Sequence, residues 1–391
     1  MTFMTPFTFN STVRTHFGSG MLEDALRKEL PSYGKRIMLA YGCGSVKRSG
    51  LYDRVRGLLE ELGKEIVDFG GIMPNPTYAK VKEGAALAVR ENVDFILAVG
   101  GGSVSDCAKI VAVQALSEMG IWTMEVCEGR YPDKGIPVGV VVTASGTGSD
   151  QNSDAVITNE NEHIKCDLYG LLPEFAVLDP QLTMSVPMMQ VMSGAFDSLS
   201  HAMETYFGRP GETFISDELN EAVMRNIIRN MRRVHENPED IDARGELMWC
   251  SSLAENSILK LGKETDFQCH MIEHQLGAYT DCSHGQGLAV LHPVYYRHIV
   301  RDYAPKFARF AETVMGIRNA ALSELALANA GIDSLADFIR EMGLPSTFPE
   351  MGLNDLEDSM LRKIAASTMI RPGCARRLSP IEILQILREC Q

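Results

Sequence analysis

Residues 95–115 read FILAVGGGSVSDCAKIVAVQA, and the fold turns on this stretch. Phe95 to Val99 is a continuous apolar run, short for a helix and right for a strand buried on both faces. The run ends at Gly100-Gly101-Gly102, and a helical pattern follows through Cys107 to Ala115. Glycines at such a turn let backbone N–H groups approach a pyrophosphate, and a helix N-terminus adds a favourable dipole. Ser103 is placed to cap that helix. A bare strand-to-helix turn asks for the same residues, and this is no G-x-G-x-x-G fingerprint.

The same alternation runs on either side. Arg36 to Tyr41 (RIMLAY) predicts a buried strand, followed by a glycine turn and a helical stretch from Gly50 to Leu62. Glu65 to Phe69, Gly135 to Thr143 (GIPVGVVVT) and Phe175 to Leu178 (FAVL) predict further strands. Strands alternating with helices predict an α/β domain over residues 1–180 with a mostly parallel, doubly wound sheet. After Asp179-Pro180 the texture becomes helical, with breaks near Gly208, Pro238, Gly277, Gly331 and Pro345, which predicts an all-α domain over 181–391. Two more glycine turns follow strands: TASGTGS at Thr143 to Ser149, and GCGSVKR at Gly42 to Arg48. Glycine turns repeated at strand C-termini favour a nucleotide site over coincidence.

Composition narrows the partners. Of the 391 residues, 45% are apolar and 23% charged, the balance of an ordinary globular protein. Apolar runs such as Ile136 to Val142 are far too short to span a bilayer. MTFMTPFTFN lacks the basic and apolar regions of a signal peptide, so a cytoplasmic protein is expected, with no membrane partner. A net charge of −14, from 37 basic and 51 acidic residues, repels phosphate backbones and argues against nucleic acid. Nine scattered cysteines without a C-x-x-C pair read as reduced thiols.

The helical half carries a metal-like constellation. Asp197 and His201 stand at i, i+4 in GAFDSLSHAMETY, which puts both on one helix face. His270 and His274 repeat the spacing, and His284 follows. Imidazoles with one carboxylate make a set suited to Zn²⁺ or Fe²⁺. Either pair alone is commonly an incidental surface feature. Spacing also does not choose which four of the five candidates would bind.

These residues resemble one family over essentially the whole length: the iron-containing (group III) alcohol dehydrogenases, and within them the NADPH-using aldehyde reductase and butanol dehydrogenase branch. The matching blocks are YGCGSVKRSG, MPNP at Met73 to Pro76, GGGSVSDCAK, TASGTGSD, FAVLDP, GAFDSLSHAMETY, and His270 to Gly287. The resemblance implies a dehydroquinate synthase-like architecture and a homodimer. The implied chemistry is hydride transfer between nicotinamide C4 and an alcohol or aldehyde held on one divalent metal, Fe²⁺ or Zn²⁺. By the same likeness the metal ligands fall on Asp197, His201, His270 and His284. His274 matches a catalytic-site histidine that is not a ligand. Cofactor contacts are implied for Asn75, Gly101, Gly102, Ser103, Asp106, Thr143 and Thr147, and Lys165 sits where this branch carries a lysine near the cofactor. Asp150 replaces the usual Glu, Cys43 replaces a Gly, and Met192 and Ser198 are unusual for the family.

The turn after RIMLAY bears on the coenzyme. Sites that select NADH commonly place an acid on the ribose 2′-hydroxyl. Here Gly42, Cys43, Gly44 and Ser45 offer none, and Lys47 and Arg48 follow. NADP is therefore expected, with Gly44, Ser45 and Lys47 among its contacts. Dehydroquinate synthase-like elimination, glycerol dehydrogenase-like polyol oxidation and a non-catalytic nucleotide sensor are the rival readings.

Overall fold

The computed structural model describes residues 6–209, 215–370, 373–374 and 376–391. The first five residues of the segment read for a leader lie outside it. The described strands are β1 (Arg14–Phe17), β2 (Arg36–Gly42), β3 (Glu65–Ile72), β4 (Phe95–Gly100), β5 (Val138–Val142), β6 (Asp154–Asn159), β7 (Ile164–Tyr169) and β8 (Phe175–Leu178). Six of them form one sheet in the order β1-β8-β5-β4-β2-β3, and every neighbouring pair is parallel. β6 and β7 form a separate antiparallel hairpin.

The apolar runs are strands because both faces of the sheet are covered. Met38, Ala40, Ile96, Ala98, Val138 and Val140 point to one face and pack with the Gly102–Gln114 helix. Ile37, Leu39, Phe95, Leu97, Val141 and Val177 point to the other, against the Leu22–Glu29 and Leu51–Glu61 helices. The strand order reverses between β2 and β4, since the chain leaves β2 for β3 on one side and returns to β4 on the other. The crevice beyond the strand C-termini at such a reversal is where open α/β sheets bind ligands. Two glycine turns stand there, after β2 and after β4.

The five predicted strands are β2, β3, β4, β5 and β8. β1 and the β6–β7 hairpin were not anticipated. The chain divides into two compact units. One holds Asn10–Val186 and Glu239–Ser252, thus the whole sheet. The other holds Pro187–Pro238 and Leu253–Gln391, with the described residues 6–9, and its named elements are helical. Contiguous bounds of 1–180 and 181–391 do not capture this, because Glu239–Ser252 clusters with the sheet. Among the described residues no helix is long and apolar enough to cross a membrane.

Candidate functional site

The helical unit gathers the histidines. The Met188–Tyr206 helix is buried almost all round from Met192 onward, so its polar residues face protein rather than water and need partners. Asp197 and His201 lie on it, and His270 and His274 lie on the Gln268–Thr280 helix. That second helix follows Phe267, a bulky residue held at φ 55°, a backbone geometry that persists only where surroundings impose it. Its neighbour Asp266 donates its N–H to the Glu204 carbonyl at 2.9 Å and accepts the Tyr295 hydroxyl at 2.5 Å. His284 is the first residue of the His284–Ile299 helix. Gly285 lets this helix approach closely, since a Cβ there would sit 2.2 Å from the Ser193 carbonyl oxygen.

The result is a centre around Asp197. Its Oδ1 lies 3.7 Å from His201 Nε2, 3.6 Å from His270 Nε2 and 3.3 Å from His284 Nε2. The His201 and His270 rings stack, with centroids 4.6 Å apart at 17°. Asp197 Oδ1 and His270 Nε2 are buried without a hydrogen-bond partner among the described residues. Donor atoms about 2.0–2.2 Å from a tetrahedral cation stand about 3.3–3.6 Å from one another, so the three separations fit one ion. The far sides of two rings meet carboxylates: His270 Nδ1 bonds Glu204, and His284 Nδ1 bonds Glu273. Both glutamates are fully buried. Sequence reasoning missed them, although Glu204 stands three residues after His201 and Glu273 three after His270, the spacing that shares a helix face.

Charge in this centre is unbalanced. Burial alone would raise the Asp197 carboxyl, but the imidazoles of His201, His284 and His270 hold it well below the usual carboxylate range. Burial lowers His201. Burial also works against charge on His270, yet Glu204 and Asp197 push it up to about 10. A proton on His270 and a divalent cation between the Nε2 atoms answer the same excess of negative charge, and they compete for the same nitrogen. His292, nearby on the same helix as His284, is different: burial pushes it down to about 4, and its Nε2 meets Ser200 Oγ at 2.5 Å. It is a neutral core histidine. The His274 ring centroid lies 5.5 Å from that of His284 and 6.1 Å from that of His270.

The sheet unit carries the glycine turns. Gly101 caps the Gly102–Gln114 helix, and Ser103 lies in its first turn. Thr143 follows β5 and donates its N–H to the Gly100 carbonyl at 2.9 Å. Gly101, Gly102, Ala144, Gly146 and Thr147 line one pocket. Glycine is required at 102, where a Cβ would sit 2.2 Å from Thr147 Oγ1. Asp106 lies beneath: Oδ1 accepts the Ser149 hydroxyl at 2.5 Å, and Oδ2 accepts the Val156 N–H at 3.0 Å. Both oxygens thus accept bonds from within the protein, one from the turn and one from β6. Lys109, fully buried and not anticipated from sequence, donates to the Ser149 carbonyl at 2.9 Å and the Asn152 carbonyl at 3.2 Å. Asp150 Oδ2 accepts from Ser252 Oγ at 2.8 Å and Gln151 Nε2 at 2.9 Å. Burial raises this carboxyl. Asp150 is an internal anchor for the turn.

The remaining residues fall around the same sheet. Asn75 sits at φ 50° in the loop that ends at Thr77, and Pro76 accepts the Thr158 N–H at 2.9 Å. Thr158 pairs in register with Lys165 across the β6–β7 hairpin. Pro76, next to Asn75, and Lys165 therefore both adjoin Thr158, a relation the sequence did not reveal. After β2, Gly44 at φ 137° precedes the short Ser45–Arg48 helix. The Lys47 ammonium stands 4.8 Å from the Tyr41 ring centroid and 4.6 Å from that of Tyr52.

Comparison with known proteins places both halves of the chain in one family. Residues 12–180 match the family described as iron-containing alcohol dehydrogenase, and residues 191–390 match the C-terminal part of the Fe-containing alcohol dehydrogenase family. The chain is 34% identical to NADH-dependent butanol dehydrogenase A of Clostridium acetobutylicum, over 99% of this chain and 100% of that one. It is 32% identical to the NADPH-dependent aldehyde reductase YqhD of Escherichia coli, over 95% of each. The crystal structure of NADH-dependent butanol dehydrogenase A from Thermotoga maritima superposes with a TM-score of 0.92 at 31% identity, covering 100% of both chains. With both halves matched and the likeness running end to end, the chain belongs to the iron-containing alcohol dehydrogenase family.

Proposed function

We propose that this protein interconverts primary alcohols and aldehydes with NADP(H), using one divalent cation, Fe²⁺ or Zn²⁺, held by Asp197, His201, His270 and His284. The observation that carries the reading is the convergence of three imidazole Nε2 atoms on Asp197 Oδ1 at 3.3–3.7 Å. When bound, the cation supplies a Lewis acid for the substrate oxygen and the nicotinamide supplies the hydride carrier. Asp197 brings the one negative charge of the ligand set, and burial of His201 and His270 keeps water from competing for it. Gly101, Gly102, Ser103, Thr143 and Thr147 receive the dinucleotide phosphates through backbone N–H groups and hydroxyls, while Asp106 and Lys109 hold the turn in shape. Asn75 and Lys165 approach the cofactor from the hairpin side. His274 passes a proton between substrate and solvent, as imidazole commonly does.

A second ligand assignment has geometric support, because Glu273, His274 and His284 also offer donor atoms within 4.8 Å of one another. Elemental analysis with steady-state kinetics separates the two. His201→Ala should lose both metal and activity, while His274→Ala should keep its metal and lose turnover about 10²-fold. Full metal and full activity in His201→Ala would sink the assignment; loss of metal in His274→Ala would move the ligand set toward the second group.

The NADPH preference rests on the turn after β2, which has no acid to repel a 2′-phosphate, and on Lys47 and Arg48 beside it. Relatives named for NADH and for NADPH are both among the similar proteins. In a Lys47→Ala, Arg48→Ala double variant the preference should fall about tenfold, since an exposed charge gives the lower end of a charged hydrogen bond's worth. Equal use of NADH by the wild type refutes the preference.

A further inference from the structure

We infer that Glu204 and Glu273 are positioning residues that fix which nitrogen of His270 and His284 is free to bind the cation, and thereby set metal affinity. This rests on the ligand assignment proposed above. A neutral imidazole has one N–H and one lone pair, and the partner of one nitrogen decides which it carries. An ionised carboxylate can only accept. Glu204 at His270 Nδ1 and Glu273 at His284 Nδ1 therefore keep the proton on the Nδ1 side and leave Nε2, which faces Asp197, with its lone pair.

Glu204 does more than orient a ring. Its Oε1 accepts the Cys269 N–H at 2.7 Å, and its Oε2 accepts the His270 N–H at 3.1 Å as well as Nδ1. Three N–H donors thus meet two oxygens. They include the first-turn amides of the Gln268–Thr280 helix, which have no partner within the helix. One side chain holds both the backbone and the imidazole of His270. An amide cannot replace it. Whichever way Gln is turned, its NH₂ faces a donor, and with NH₂ on Nδ1 the ring proton moves to Nε2. Glu273 meets the His284 ring nitrogen with Oε2, and Cys282 Sγ lies 3.8 Å from its Oε1. Gly287 leaves it room, since a Cβ there would lie 2.9 Å from Glu273 Cγ. A Gln at 273 can still turn its oxygen to Nδ1; a Leu cannot.

The test is to load the full-length protein with Co²⁺, titrate it with a chromophoric chelator, and record its d–d absorption. Glu204→Gln and Glu273→Leu should hold Co²⁺ about 10- to 100-fold less tightly, the usual loss on removing a carboxylate behind a metal-bound histidine. Glu273→Gln should lose less than Glu273→Leu. Circular dichroism checks folding, and if Glu204→Gln does not fold, the two Glu273 variants carry the comparison. Wild-type affinity and an unchanged d–d spectrum in the folded variants would overturn the inference. His270→Ala belongs in the same titration: if it binds Co²⁺ as tightly as wild type, the ligand assignment itself has failed; if it loses Co²⁺ while the glutamate variants do not, only the positioning role has.

Discussion

Gly102 shows how narrowly one position can be set. A Cβ there meets Thr147 Oγ1 at 2.2 Å, whereas one at Gly101 meets nothing nearer than Ala144 Cβ at 3.5 Å, an ordinary contact. The turn has little freedom to retreat, because buried Lys109, Asp106 and Asp150 tie it from below. Overpacking a rigid site costs about 1–3 kcal/mol. Gly102→Ala should therefore weaken coenzyme binding by about 10- to 100-fold, measured by fluorescence titration with NADPH, while Gly101→Ala should do much less. Equal binding by both variants would show that the turn yields and that the pocket is not where the pyrophosphate rests. Residues of this kind are half visible in sequence. The glycines stand out beside apolar runs, but Lys109 does not, because a lysine at i, i+3 from an acid on a helix ordinarily faces water.

At the scale of elements, the legible pieces were those whose residues settle their own fate. β4 and β5 are unbroken apolar runs buried on both faces, so no tertiary knowledge was needed. β1 is only Arg-Thr-His-Phe and is a strand because it pairs with β8, more than a hundred residues on. In the β6–β7 hairpin β6 alternates buried and half-buried positions, β7 does so less regularly, and the turn through Glu160 to His163 has no Asn-Gly or Asp-Gly signal. Glu204 and Glu273 were hidden for a related reason: acids on a helix read as solvated face until other helices bury them.

The π-turn Thr123–Cys127 is another such element, and it carries a titratable group. Glu125 Oε2 accepts the Tyr169 N–H at 2.7 Å, while Oε1 is buried without a partner among the described residues. Burial pushes its carboxyl up from 4.5 to about 7. Between those values the unfolded chain has released this proton and the native one has kept it. Stability from this group is thus full below pH 4.5 and falls as pH rises toward 7, at no more than about 1.4 kcal/mol per pH unit. Glu125→Gln removes the effect. Its melting temperature should exceed that of the wild type by more at pH 8 than at pH 5, and a constant difference would show that Glu125 is not held protonated.

For the whole molecule, the distribution of the candidate ligands matters. Asp197, His201, His270 and His284 come from three helices of one unit, so a bound cation ties segments 188–206, 268–280 and 284–299 together and none of the sheet. A ligand at 100 times its dissociation constant stabilises the state it binds by about 2.7 kcal/mol. Stripping the metal should speed amide hydrogen exchange in those three segments and leave β2, β4 and β5 near their original protection. Uniform acceleration across both units would mean that they unfold as one.

The return of Glu239–Ser252 to the sheet unit has a consequence for the order in which the chain is made. Ser251 accepts the Gly146 N–H at 2.9 Å, and Ser252 holds Asp150 at 2.8 Å. A ribosome that has released residues 10–186 has therefore delivered every described strand, but not the two serines that bond to the TASGTGSD turn. The long helices Met188–Tyr206 and Ile215–Glu236 must emerge first. During translation the nascent sheet therefore waits with this turn held only from below, by Lys109 and Asp106, until synthesis passes residue 252.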